Sequence, residues 1–153
     1  MPDVILLKKK NYLMMIANAA AGENRMFRNV FALVDGVERD ILEDGKLACA
    51  AFVSGVLALN GLLDRPHATV SGTEKALEAA GWTIISEPRA GAVLSWEPIT
   101  YADERTHGHL GFSIGNDRAI SNASNASGIP REHHWTYDGT RKVVRIWWHP
   151  SLS

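Results

Sequence analysis

The pattern of apolar and polar positions changes near Gly81. Before it, the periodicity is helical. From about Lys8 to Ala21, Leu13, Met14, Ile16, Ala17 and Ala20 recur at helix spacing and predict a helix. Gly22-Glu23-Asn24 interrupts it. Phe27, Val30, Phe31 and Val34 predict a second, short helix, and Asp35-Gly36 reads as a turn. The stretch from Asp44 to Gly61 is the most apolar of the chain. Ala and Leu dominate it, so it predicts a buried helix that stops at Asn60-Gly61. Gly55 in its interior costs about 1 kcal/mol relative to Ala, which predicts a close helix contact at that point. Ser71-Gly72-Thr73-Glu74 opens another helix, running to Ala80 with Gly81 as its stop.

After Gly81 the runs become short and β-rich. They are Trp82–Ile85, Ala92–Trp96, His109–Ile114, Arg118–Ser121 and Lys142–Trp148, bounded by Gly, Pro, Asn and Asp. Gly115-Asn116-Asp117 between two of them reads as a hairpin turn. Helices first and hairpin-linked strands second predict an α+β fold, with a helical N-terminal half packed on an antiparallel sheet of about five strands. No repeat or long linker divides the chain, so residues 1–153 read as one domain.

Composition narrows the function classes. The chain has 153 residues, 46% hydrophobic and 22% charged, which is enough for a folded core without staples. A formal net charge of -1 gives no basic surface for nucleic acid. Lys8-Lys9-Lys10 reads as a solvated helix face. No apolar stretch reaches the ~18 residues of a membrane span. A single cysteine excludes an internal disulfide. At the start, charge follows the apolar Val4 to Leu7, the reverse of a secretory signal. The expectation is a chain cytoplasmic as synthesised, with export or phage delivery by another route left open. Oligomeric state is not legible.

One constellation carries chemistry. Cys49 precedes the apolar helical run, so it falls in the first helical turn. There unpaired N–H groups and the helix dipole favour a thiolate. The plain alternative is a small buried hydrophobe. His109 opens an apolar strand beside Gly108 and Gly111. The following strand ends in Ser121-Asn122, where a polar group can fix the orientation of an imidazole.

These residues carry a resemblance. Cys49-Ala50-Ala51-Phe52-Val53 resembles the nucleophile helix of the NlpC-type papain-like cysteine peptidases of bacterial cell-wall metabolism, a superfamily that includes CHAP-type amidases. Their usual motif is Asp-Cys-Ser-Gly-Phe-Val. Pro88 to Trp96 is similar to their Pro-Gly-Asp-x-Val-x-Phe strand. His109 to Ser121 is similar to their His-Val-Gly-Ile-Tyr-x-Gly-Asn-Gly-x-x-Ile-His hairpin. The three motifs keep the family's order and cover about Asp44 to Asn122. Ala48, Ala50-Ala51 and Ala92 depart from the pattern. Gap-free matching puts Ser121 at the third catalytic position, whereas a one-residue bulge would bring in Asn122, the stronger orienter and the preferred choice.

The resemblance implies a papain-like fold and a hydrolase that cleaves an amide bond in a peptidoglycan-type peptide, without a cofactor. Cys49 attacks, His109 moves the proton, and Asn122 or Ser121 orients the ring. The implied partner is a peptide or muropeptide. A catalytically silent binding module on the same fold and a thiol acyltransferase are the alternatives. His107, His133, His134 and Trp135 are further candidates for the substrate cleft. Zinc is disfavoured, because adjacent histidines in a strand face opposite ways and no carboxylate or second cysteine stands at a zinc spacing. The polar loop Asn122 to Gly128 is placed to edge the site.

Overall fold

The computed structural model describes residues 5–153. Met1 to Val4, part of the apolar start noted above, lie outside them. The order begins α1 (Lys8–Ala19), β1 (Phe31–Val34), β2 (Val37–Asp40), α2 (Cys49–Leu59) and α3 (Val70–Ala79). Six strands follow: β3 (Thr83–Ile84), β4 (Val93–Thr100), β5 (Thr106–Gly115), β6 (Arg118–Asn122), β7 (Pro130–His134) and β8 (Val143–Trp148). They form one sheet in the order β3-β8-β4-β5-β6-β7, with every pairing antiparallel. The class is therefore α+β with an antiparallel sheet. No helix among the described residues is long and apolar enough to cross a membrane.

Two elements differ from the pattern-based expectation. In place of the helix expected over 27–34, residues 27–30 form a turn and irregular backbone and Phe31–Val34 the first arm of the β1–β2 hairpin. Asp35 and Gly36 both take positive φ (52° and 80°), the pair of angles a type I′ hairpin turn requires. Asp40 closes the base of that hairpin by accepting the N–H groups of Val30, Leu42 and Asp44. Turn chemistry thus overrode a helical spacing built on only four apolar residues. The sheet has six strands rather than five, because Pro130-Arg131-Glu132-His133-His134 also pairs. It is an edge strand, where Pro130 removes no ladder hydrogen bond.

The core explains the position of α2. Every residue from Cys49 to Leu57 is buried. Phe52 meets Phe112 of β5 edge-on at 5.3 Å, and Tyr12 of α1 meets the same ring at 5.8 Å. Gly55 faces not another helix but the Phe27 ring, which would lie 3.0 Å from an added Cβ. The helix stops at Asn60 and Gly61 as the pattern predicts, with Gly61 at φ 67°.

Strand parity sets the site. Leu110 and Phe112 turn into the helical core, so His109 and Gly111 present to the other face. Trp96 pairs with His109, and Ser121 pairs with Gly111. His109 and Ser121 are therefore diagonal neighbours on one face. Gly111 lies beneath them because nothing larger fits. An added Cβ would sit 2.7 Å from the Ser121 Cβ, 2.8 Å from the Ile120 carbonyl oxygen and 2.9 Å from the Trp96 ring. Gly111→Ala is accordingly expected to destabilise the fold by about 1–3 kcal/mol, read as a lower urea midpoint at unchanged slope.

Candidate active site

His109 is 2% exposed and reaches Ser121 through Nε2, 3.0 Å from Oγ. Ser121 Oγ also lies 2.7 Å from His133 Nε2 and 2.8 Å from the Tyr137 hydroxyl. A hydroxyl has one proton to give, and the bonds around it assign that proton. His133 Nδ1 lies 2.7 Å from the His134 carbonyl, which can only accept, so Nδ1 carries hydrogen. Burial holds His133 toward its neutral form, leaving Nε2 as a bare acceptor. Ser121 therefore donates to His133. It then has only lone pairs to offer Tyr137 and His109, so His109 carries its proton on Nε2.

The consequence lies on the other ring nitrogen. His109 Nδ1 is an unprotonated, buried acceptor with no hydrogen-bond partner. Such an atom costs about 1–3 kcal/mol in a folded interior. Burial, reinforced by the Arg141 guanidinium and by His133, pushes the His109 pKa down to about 3.

Cys49 begins α2 and is 7% exposed. From Thr106 to Leu110, β5 has a ladder partner only in β4, because its pairing with β6 begins at Gly111. The start of α2 packs against this open stretch. The Leu110 N–H lies close enough to the Cys49 thiol to favour its thiolate, which places the thiol beside the residue that follows His109. The sequence led us to expect a thiolate at this helix start. The structure reverses that: burial pushes the thiol pKa up and outweighs the N–H groups of Leu110 and Ala50 and the Arg141 charge. No hydrogen bond joins thiol and imidazole, and both are neutral at rest.

Two cavities flank the pair. One, of about 470 Å³, is lined by Cys49, Lys46, Glu74, Trp96, Tyr101 and His107 among others. The second, of about 370 Å³, is lined by His109, Tyr101, Asn122, Tyr137, Arg141 and the 123–126 loop. Tyr101 belongs to both walls. The loop after Asn122 thus edges the site as expected.

The remaining sequence candidates separate. Asn122 is not the ring's partner. It faces away from Ser121 by parity, and its Nδ2 donates to the Gly45 carbonyl and to Ser124 Oγ. The gap-free choice, Ser121, holds the ring. His107 does line the Cys49 cavity, with its ring 4.8 Å from that of Tyr101 and tilted 54° to it. His133 acts behind Ser121 rather than in a cleft. His134 Nδ1 is taken by the Thr136 N–H and hydroxyl. Trp135 borders a different hollow and accepts Trp96 Nε1 at its carbonyl. Tyr101, Tyr137 and Arg141 were missed. Only the fold returns Tyr137 to β6, where its hydroxyl meets Ser121 and its ring stacks on His133 at 4.0 Å.

Both titrations are testable. The folded His109 pKa is depressed, so as pH falls below about 6.5 the unfolded chain takes up the proton first and stability drains away toward pH 3. Between pH 7.5 and 5 this amounts to about 2 kcal/mol. In denaturant melts the His109→Gln variant should lack that part of the pH slope. Cys49 in the native protein should react with iodoacetamide at pH 7 about tenfold or more slowly than a free thiol, and at the free rate in urea. No protein-family model matches this chain, and no curated protein matches it.

Proposed function

We propose that the chain is a papain-like thiol hydrolase that cleaves an amide bond through a Cys49 thioester, with His109 as proton carrier. The observation that carries this reading is the bare, buried Nδ1 of His109 on the strand whose next residue lies beside the Cys49 thiol. A lone pair left unpaired in the interior, on a ring fixed through its other nitrogen, is suited to accept a thiol proton. The motif resemblance points to a peptide of the peptidoglycan type as substrate.

The steps follow from the neutral pair. Cys49 Sγ attacks the carbonyl carbon while its proton passes to His109 Nδ1. The tetrahedral oxyanion is met by the helix-start N–H groups. The C–N bond breaks, and His109 gives its proton to the leaving nitrogen. Water, deprotonated by the same nitrogen, then cleaves the thioester and restores both groups. An amine in place of that water would make the protein an acyltransferase, and product analysis with added acceptor separates the two.

A second reading, a binding module with catalysis lost, is favoured by one observation: no hydrogen bond joins the buried thiol and the imidazole. Muropeptide digestion followed by mass spectrometry decides between them. The hydrolase reading expects turnover that falls about 10³-fold or more in Cys49→Ala. It expects Ser121→Ala to lower kcat about 10- to 100-fold with KM little changed. It also expects kcat/KM to stay level from about pH 5 to 8, because the neutral pair persists across that range. Equal binding by wild type and Cys49→Ala without any turnover would establish the module instead.

A further inference from the structure

We propose that Arg141 receives a carboxylate on the leaving-group side of the substrate, so that the preferred amide is one whose amine-side residue bears a free carboxylate. This rests on the hydrolase reading above and adds a substrate class to it.

Arg141 is held by two backbone carbonyls: Nε donates to Glu97 at 3.0 Å, and Nη2 donates to His107 at 3.3 Å. A guanidinium has five N–H donors, so three remain. Among the described residues no carboxylate pairs with it. Arg141 lies between the hollow beside Trp135 and the 370 Å³ cavity that also holds His109, and its charge acts on Cys49, His109 and Tyr137. Asn122 lines the same cavity, 1% exposed, and its Oδ1 has no partner. Its orientation is fixed, because Nδ2 is engaged by the Gly45 carbonyl and Ser124 Oγ. The hollow is thus walled by the residue that carries the unpaired imidazole nitrogen and by a guanidinium with no carboxylate partner, with the Asn122 amide fixed at its edge.

The chemistry assigns the side. The proton for the departing nitrogen comes from His109, so the amine portion must lie in the His109 cavity. The acyl portion then lies toward the Cys49 cavity. An amino acid leaving as amine places its carboxylate against the Arg141 fork, a geometry that guanidinium and carboxylate share. Carboxylate binding has a second effect. Arg141 is one of the groups that hold His109 in its neutral form, so neutralising its charge makes the imidazole a stronger base. A substrate with the correct terminus both docks and helps to activate the proton carrier.

The test uses the full chain carrying Cys49→Ala, titrated by calorimetry and by NMR of the histidine rings with N-acetylalanine and with N-acetylalaninamide. The acid is expected to bind about tenfold or more tightly than the amide and to raise the His109 pKa. Arg141→Gln should erase the difference between acid and amide, and Arg141→Lys should keep part of it. Equal affinity for the two ligands, or no binding of the acid, overturns the proposal. So does a preference that survives Arg141→Gln. Turnover is read separately on wild type. Hydrolysis at equal rates with free and amidated termini overturns the carboxylate receptor and leaves the thiol hydrolase standing. Arginine-dependent carboxylate binding without turnover supports the receptor and removes the hydrolase.

Discussion

The Ser121 hydroxyl has a single proton, and the state of the buried polar cluster depends on where it goes. Three groups converge on Oγ, and the His134 carbonyl behind His133 decides which of them receives the proton. His109 is then confined to one tautomer, with its free lone pair on Nδ1. A serine alone holds an imidazole weakly. Here it is braced by His133 and by Tyr137 stacked on that ring, so three modest bonds act as one fixed partner. Trp96 completes the enclosure, with its ring 5.3 Å from His109 and 5.6 Å from His133 and its Nε1 tied to the Trp135 carbonyl.

Burial governs the rest of the chemistry. At Cys49 two effects oppose each other. Helix-start amides and the Arg141 charge favour the thiolate, and desolvation favours the thiol. Desolvation wins because the sulfur lies between α2 and β5, in the most apolar part of the molecule. The same environment keeps His109 neutral. In the hydrolysis proposed above, such a pair moves its proton during attack rather than before it. The unpaired Nδ1 of His109 lowers the stability of the fold by an amount that a satisfied interior would not lose.

Much of this arrangement was readable in the chain. The apolar run from Leu47 to Leu59 could only be a buried helix, and Cys49 stands at its start. The Asn116-Asp117 turn, with both residues at positive φ, fixed the β5–β6 hairpin and with it the strand neighbours of His109 and Ser121. Two failures have local causes. The spacing of Phe27, Val30, Phe31 and Val34 resembled a helix face, but the Asp35-Gly36 turn drew Phe31 to Val34 into a hairpin and left Phe27 in a turn packed on Phe52. The polar edge strand Pro130–His134 has no apolar alternation, since an edge with one neighbour needs none.

The sequence by itself determined the α+β class, the helix that carries the thiol and the strand that carries the imidazole, because apolar periodicity and turn chemistry are local properties. Tertiary structure alone decided the choice of Ser121 over Asn122. That choice is a matter of which face of β6 meets His109, and a register shift of one residue would reverse it. The fold also decided the protonation of the pair and the presence of Arg141 beside it. Desolvation and long-range charge depend on what the completed chain encloses, and no neighbouring residues in the sequence encode them.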